Sequence, residues 1–375
     1  MKRVVVLGST GSIGRSTLDV IRMHPGEFEV VGLCAWSNTK LLASQAVEFR
    51  VKNLGLVSPA GQVPSGIDVM SGSHAPLDVI KRTSPDIVVN GISGAAGFLP
   101  SMEAVRSGAR LALANKESLV IGGVFLTAEA QRAKVPIIPV DSEHSAVFQC
   151  LLGESAQTIR RIILTASGGP FRDRPSDSFK DITPEEALNH PTWSMGRRIT
   201  IDSATMMNKG LEIIEACWLF GVGLDKVQVM IHPQSIIHSM VEFSDRSIKA
   251  QLSVPDMRLA IAFALSWPQR LDLSIEPLGL DKGLSLELLP PDEEKFPALS
   301  VARSAMRRPE ALPCIMNAAD ESAIEAFLAG RLRFDRIIEV VKKTMDTLSH
   351  YAVDSPEEIM ELDHLSRKTA EELIS

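Results

Sequence analysis

Short unbroken apolar runs alternate with amphipathic stretches over the first third of the chain. Val4 to Leu7 and Glu29 to Ala35 predict strands, and Ser12 to Met23 predicts the helix between them. Asp86 to Asn90, Arg110 to Ala114 and the proline-bearing Val135 to Val140 predict further strands. β-branched runs without alternation, separated by helices, are the signature of a parallel sheet covered on both faces.

The pattern changes near Asp141. A strand is expected at Arg161 to Ala166, followed by the turn Ser167-Gly168-Gly169-Pro170 and a polar, proline-bearing stretch to about Ile201. A helix then starts with Asp202 or Ser203 as its cap and ends before Gly221. Strands are expected at Lys226 to Ile231 and Ile236 to Phe243. Residues 268–297 carry Pro, Leu and Gly without period and read as a linker. Beyond them Ala318 to Leu328, Phe334 to Leu348 and Pro356 to Ile374 predict a helical bundle, with Ile337, Val340, Val341, Met345 and Leu348 at helical spacing. The tail is read as scaffold or dimer support. The expected fold is an α/β N-terminal Rossmann-type dinucleotide-binding domain (1–145), an α+β central catalytic domain (146–267), the linker (268–297) and a C-terminal α-helical bundle (298–375).

At 375 residues, more than one domain is the prior, and 45% apolar with 23% charged residues is ordinary for a globular chain. The net charge of −7 argues against a nucleic-acid binder, which needs a basic stripe. Cys34, Cys150, Cys217 and Cys314 form no C-x-x-C pair, which suits a reducing compartment and no structural zinc. No apolar run reaches the roughly 20 residues that span a bilayer, so no membrane partner is expected. The chain opens in a strand-like run rather than a leader, and a cytoplasmic location is expected.

Gly8-Ser9-Thr10-Gly11-Ser12-Ile13-Gly14 lies between the first strand and the first helix. Glycines there let backbone approach a pyrophosphate, and the helix N-terminus offers free N–H groups. A ligand-free βα turn is the alternative. The end of the second strand, Trp36-Ser37-Asn38-Thr39-Lys40, holds no acid to accept from a ribose 2′-hydroxyl. Ser37, Asn38, Thr39 and Lys40 can instead donate to a 2′-phosphate, so NADP is expected over NAD. Trp36 either stacks on adenine or is an ordinary Trp of the core or surface.

Asp141-Ser142-Glu143-His144 follows a short strand, where α/β folds place their chemistry. Alternate side chains of an extended segment point one way, which would bring Asp141 and Glu143 together. Converging carboxylates need a cation or a proton between them, and hard oxygen ligands suit Mg²⁺ or Mn²⁺. Solvated loop acids are the alternative, and His144 is read as a core histidine. Glu212 can complete a three-carboxylate set, with Asn208 one turn away on the same face and Lys209 beside it. A solvent face is the bland reading, but Met206, Met207, Leu211, Ile213 and Ile214 leave that helix apolar nearly all round. His190 to Gly196, with Trp193 at its centre, reads as a lid.

Together these segments resemble one family. The runs G-S-T-G-S-I-G-R-S-T-L-D-V (8–20), A-N-K-E (114–117), V-D-S-E-H-S-A (140–146), S-G-G-P-F-R (167–172), H-P-T-W-S-M-G (190–196), D-S-A-T-M-M-N-K-G-L-E (202–212), H-P-Q-S-I-I-H-S-M-V (232–241) and N-A-A-D-E (317–321) are similar to those of 1-deoxy-D-xylulose-5-phosphate reductoisomerases. The resemblance covers essentially the whole chain. It implies a homodimeric, NADPH- and metal-dependent oxidoreductase of isoprenoid precursor biosynthesis. Its keto-sugar phosphate undergoes retro-aldol cleavage and re-addition, and the resulting aldehyde is reduced.

By motif position the resemblance implies that Asp141, Glu143 and Glu212 hold the metal and, with Lys116, form the catalytic set. Lys116, Ser142, Glu143 and Glu212 would meet substrate, while Ser167, Ser203, Asn208 and Lys209 bind its phosphate end and His190 closes over it. Thr10, Gly11, Ser12, Ile13, Ser37, Asn38, Asn115, Glu117 and Gly196 would line the cofactor site. Trp193 and Met195 fit the family's flap, and Met257 its opposing wall. Trp36-Ser37 departs from the Gly and basic or small residue usual there. Two rivals remain: a semialdehyde dehydrogenase using Cys150 as nucleophile, and an NADP-sensing regulator without turnover.

Overall fold

Val4, Val5, Val6 and Leu7 have no exposed surface, because a strand inside a doubly covered sheet has no solvent face. The computed structural model describes residues 1–58, 68–193 and 195–375. Strands β1 (Lys2–Leu7), β2 (Phe28–Ala35), β3 (Asn53–Leu56), β4 (Asp68–Ser71), β5 (Ile87–Asn90), β6 (Arg110–Leu113) and β7 (Ile137–Pro139) form one sheet, ordered β4-β3-β2-β1-β5-β6-β7. All its pairings are parallel, with Val4 opposite Val30 on one side and Ile87 on the other. The chain therefore runs outward from β1 to β4 and returns on β1's other side with β5. That reversal is the switch point at which open α/β sheets bind ligands, outside the carboxyl ends of the strands.

The crossovers carry α1 (Ser12–Met23), α2 (Thr39–Glu48), α3 (Ala75–Thr83), α4 (Phe98–Arg106) and α5 (Glu117–Ala133), and α6 (Ser142–Cys150) follows β7. A second sheet combines β8 (Ile159–Ala166), β9 (Val227–Ile231), β10 (Ile237–Phe243) and β11 (Ile248–Leu252) in the order β11-β10-β8-β9. Only β8 with β9 is parallel there. Around it come α7 (Pro184–Ala187), α8 (Arg197–Thr205), α9 (Met207–Phe220) and α11 (Ala298–Ala305), whereas α10 (Met257–Ser266) packs on α1. Last are α12 (Leu312–Leu328), α13 (Ile337–Thr347) and α14 (Pro356–Ile374), which pack on one another.

The chain divides into two compact units. The first is Met1–Ser118 with Leu126–Ser145 and Asp256–Ile275; the second is Leu119–Phe125 with Ala146–Pro255 and Glu276–Ser375. Helix α10, distant in sequence, joins the first unit by packing on α1. Its run Leu259-Ala260-Ile261-Ala262-Phe263 is apolar on every face, so the sequence does not say which neighbour it takes. Strand β11 escapes sequence reading for the opposite reason: an edge strand needs little burial, and Ile248, Lys249 and Ala250 are exposed.

The helix cap expected at Asp202 or Ser203 is not there, because both residues lie inside α8, whose cap is Gly196. The chain breaks instead at Met206, in the left-handed region at φ 65°. Gly or Asn usually marks such a break, so a Met there leaves no signal. Gly221, at φ 61°, closes α9 as expected. Among the described residues no helix is long and apolar enough to cross a membrane.

Candidate active site

In the first unit the glycine turn sits at the switch point. Gly8 has φ 75°, and a Cβ on it would lie 2.6 Å from the Gly91 carbonyl oxygen at the end of β5. Buried Ser9 and Gln45 exchange two 2.9 Å hydrogen bonds that tie the turn to α2. Gly11, the N-cap of α1, offers no side-chain cap, and the first turn has no acid. Its N–H groups are thus oriented for an anion, with Gly11 and Ser12 exposed and Thr10 and Ile13 half-buried beside them. Gly8→Ala is expected to add about 1–3 kcal/mol of strain. Relieving it by moving the turn should weaken dinucleotide binding about tenfold or more, read by fluorescence titration beside a thermal melt.

At the end of β2, Ala35 is buried while Trp36, Ser37, Asn38 and Lys40 are exposed. Asn38 caps α2, its Oδ1 accepting from the Leu41 N–H at 3.1 Å, which leaves its amide NH₂ to face solvent. Thr39 is buried, its hydroxyl directed to the Ser37 carbonyl. Asn115 and Glu117 knit the loop after β5 to the start of α5. The Asn115 amide donates to the carbonyls of Ile92 (2.8 Å) and Gly94 (3.0 Å) and to Glu117 (2.9 Å). Glu117 also accepts from the Gly94 N–H at 3.0 Å.

Lys116 follows β6 and Asp141 follows β7, so both stand at the sheet's carboxyl edge, like the glycine turn. Lys116 Nζ lies 2.9 Å from Asp141 Oδ2, with 7% and 9% of their side chains exposed. Buried ion pairs stabilise folds poorly, since desolvation offsets the attraction, so this pair reads as chemistry rather than scaffold. Asp141 and Glu143 do come together, though not by strand alternation. Helix α6 begins at Ser142, placing Glu143 in its first turn, and Asp141 Oδ1 accepts the Glu143 N–H at 3.1 Å. The Ser142 hydroxyl donates to Glu143, and fully buried His144 places Nδ1 3.1 Å from Asp141.

In the second unit α9 presents Asn208, Lys209 and Glu212 together, as their spacing predicts. The Asn208 amide donates to Glu212 Oε1 at 2.6 Å, the Lys209 ammonium pairs with the other oxygen, and Glu212 is wholly buried. Ser167 follows β8, and its Oγ lies 3.1 Å from His190 Nε2. A Cβ on Gly169 would sit 2.6 Å from the Ser203 carbonyl oxygen, so this turn lies against α8. Trp193 and Met195 are half-buried, Trp193 tilted on His238 at 6.4 Å; Gly196 is exposed, and Ser194 lies outside the described residues. Met257 opens α10, in the first unit, and is half-buried.

His190 Nδ1 accepts the N–H groups of Thr192 (3.1 Å) and Trp193 (3.0 Å), so the ring's proton sits on Nε2 and the imidazole is neutral. Burial lowers its pKa below the ordinary 6.5. Below that value the unfolded chain binds a proton here more readily than the folded one. The loop's stability is therefore full above the ordinary value and is lost as pH falls through the lower folded one. An NMR titration of this imidazole is expected to give a midpoint under 6.5; a midpoint above it would contradict the arrangement. Cys150, the rival nucleophile, is buried, and burial pushes its thiol up to about 11, away from the thiolate that attack requires.

A parallel sheet entered through a glycine turn at its switch point, with a helical C-terminal region, places the chain in the class of Rossmann-like α/β proteins. Family models described as "1-deoxy-D-xylulose 5-phosphate reductoisomerase", "1-deoxy-D-xylulose 5-phosphate reductoisomerase C-terminal domain" and "DXP reductoisomerase C-terminal domain" match residues 4–123, 137–220 and 252–369. The chain is 47% identical to the 1-deoxy-D-xylulose 5-phosphate reductoisomerase of Trichlorobacter lovleyi, covering 100% of this chain and 97% of that protein. The Zymomonas mobilis enzyme solved with NADPH superposes with a TM-score of 0.92 at 40% identity, over 100% of this chain and 99% of that one. A DOX-P reductoisomerase solved with NADPH, fosmidomycin and magnesium gives 0.93 at 37% identity, over 100% and 98%. The chain belongs to the 1-deoxy-D-xylulose 5-phosphate reductoisomerase family.

Proposed function

We propose that this chain converts 1-deoxy-D-xylulose 5-phosphate to 2-C-methyl-D-erythritol 4-phosphate, using NADPH and a divalent cation, in the non-mevalonate route to isoprenoid precursors. The observation that carries the reading is end-to-end similarity, at 37% identity, to a solved enzyme holding NADPH, fosmidomycin and magnesium. The donor chemistry fits a hard cation: Asp141, Glu143 and Glu212 offer only oxygen, and lysines pair with two of them. These three residues hold the metal. Bound there, it supplies Lewis acidity to the substrate's carbonyl and neighbouring hydroxyl.

Lys116 adds positive charge where negative charge develops, and pairs with Asp141. Ser142 contacts the sugar. Ser167, Ser203, Asn208 and Lys209 take the phosphate, with the neutral His190 donating from Nε2. The glycine turn, Thr10 to Ile13, receives the pyrophosphate, and Ser37 and Asn38 receive the 2′-phosphate; Asn115, Glu117 and Gly196 complete the cofactor's surroundings. Trp193 and Met195 exclude water as the flap. Roles divide along the chain as NADPH binding (1–145), which also lends Asp141 and Glu143 to the metal, catalysis at the metal and dimerisation (146–267), a linker (268–297) and a helical domain (298–375), although compactness groups 256–275 with the first. The enzyme is a cytoplasmic homodimer.

Incubation with 1-deoxy-D-xylulose 5-phosphate, NADPH and Mg²⁺ or Mn²⁺ is expected to yield 2-C-methyl-D-erythritol 4-phosphate, and EDTA to stop it. NADPH binding without product would leave the sensor reading standing. Fosmidomycin is expected to block turnover, and its binding to require the cation; indifference to it at millimolar concentration would count heavily against the assignment.

A further inference from the structure

Arg198 is the second residue of α8, two positions past the end of the 190–196 segment. Its guanidinium, 20% exposed, is claimed by the helical tail: one terminal nitrogen donates to Glu321 at 2.7 Å and the other to Asn317 Oδ1 at 2.8 Å, both on α12. The Asn317 amide donates in turn to Glu321 at 3.0 Å. Arg367 of α14 holds the other Glu321 oxygen at 2.6 Å and pairs with Asp363 at 2.7 Å. Asp202 and Asp320 stand 3.6 Å and 4.0 Å from Arg198.

This cluster holds four acids, Asp202, Asp320, Glu321 and Asp363, against two bases, Arg198 and Arg367. Burial, then the charge of Asp202, pushes the Asp320 carboxyl well above the usual range. Burial would raise Glu321 too, but Arg198 and Arg367 outweigh it and hold that carboxyl below its ordinary value. Well-packed apolar residues usually stabilise a fold as well as a buried ionic network does. What they cannot supply is direction: a planar fork meeting two acceptors fixes the angle at which α8 leaves the tail. The other end of α12 reaches the residue just past the Ser167 turn through an aromatic chain, Phe327 packing on Phe334 (5.7 Å) and Phe334 edge-on to Phe171 (5.3 Å).

We propose that the clamp of Arg198 by Asn317 and Glu321 is a positioning device for the reaction, anchoring the C-terminal root of the flap to α12 and so setting where Trp193 and Met195 stand. The helical tail is then more than scaffold. This rests on the reading of 190–196 as the flap of the reductoisomerase site.

Glu321→Gln keeps the shape of the tail residue, and Arg198→Lys keeps the charge but loses the fork. Each is expected to raise KM for 1-deoxy-D-xylulose 5-phosphate about tenfold or more, with kcat within about threefold on the folded fraction. The double variant is expected to be no worse than the poorer single, because both remove one contact. Folded variants with the unchanged KM, additive effects in the double, or losses that follow only the folded fraction would each overturn the clamp. Lack of product from the unsubstituted chain would overturn the functional reading, and the clamp with it, and is told apart because it appears before any substitution.

Discussion

Glu212→Gln is expected to remove turnover, by about a thousandfold or more, while the chain stays folded and keeps its NADPH affinity. The carboxylate has no exposed surface, and its two oxygens already engage Asn208 and Lys209. An amide retains one oxygen for those donors, so the loss of stability is limited to about 1–3 kcal/mol. It cannot contribute a full negative charge to a cation, and that charge is what catalysis requires of it. Product formation, a thermal melt and an NADPH titration together separate these effects. Normal turnover in the variant would remove α9 from the metal site.

Lys116→Met has the next largest expected effect. The substitution keeps the length of the side chain and deletes the ammonium that lies 2.9 Å from Asp141 in a buried setting. Turnover should fall about a hundredfold to a thousandfold, the range for one lost electrostatic contact to a developing charge. Breaking a buried pair from one side should also lower stability by about 3–5 kcal/mol, because Asp141 loses its partner without leaving its buried setting. Metal addition rescues none of the rate if lysine acts on the substrate; full rescue by excess Mg²⁺ would restrict it to holding Asp141. Asn115 and Glu117 make their contacts through side chains the substitution does not touch, so cofactor affinity should hold.

These two residues were accessible from sequence by different routes. Asn208, Lys209 and Glu212 share a helix face, and helical period alone brings them together. Lys116 and Asp141 carry no mutual period. Their meeting depends on β6 and β7 being neighbours in one sheet, and only the family motifs pointed to Lys116 before the fold was known. Arg198 had no signal at all. A basic residue beginning a helix looks like a solvated face, and its partners lie more than a hundred positions away, on α12.

Local order was written in the chain itself. The strand, glycine turn and helix of residues 2–23, the end of α9 at Gly221 and the tail helices follow from side-chain period, glycine spacing and breakers, which act over a few residues. Tertiary structure decided the rest: the break at Met206, the partner of all-round apolar α10, the exposed edge strand β11 and the helical start that sets Glu143 beside Asp141. In each case the free energy that selects the conformation comes from packing or hydrogen bonding with neighbours brought in by the fold. A pattern read along one segment does not contain those neighbours.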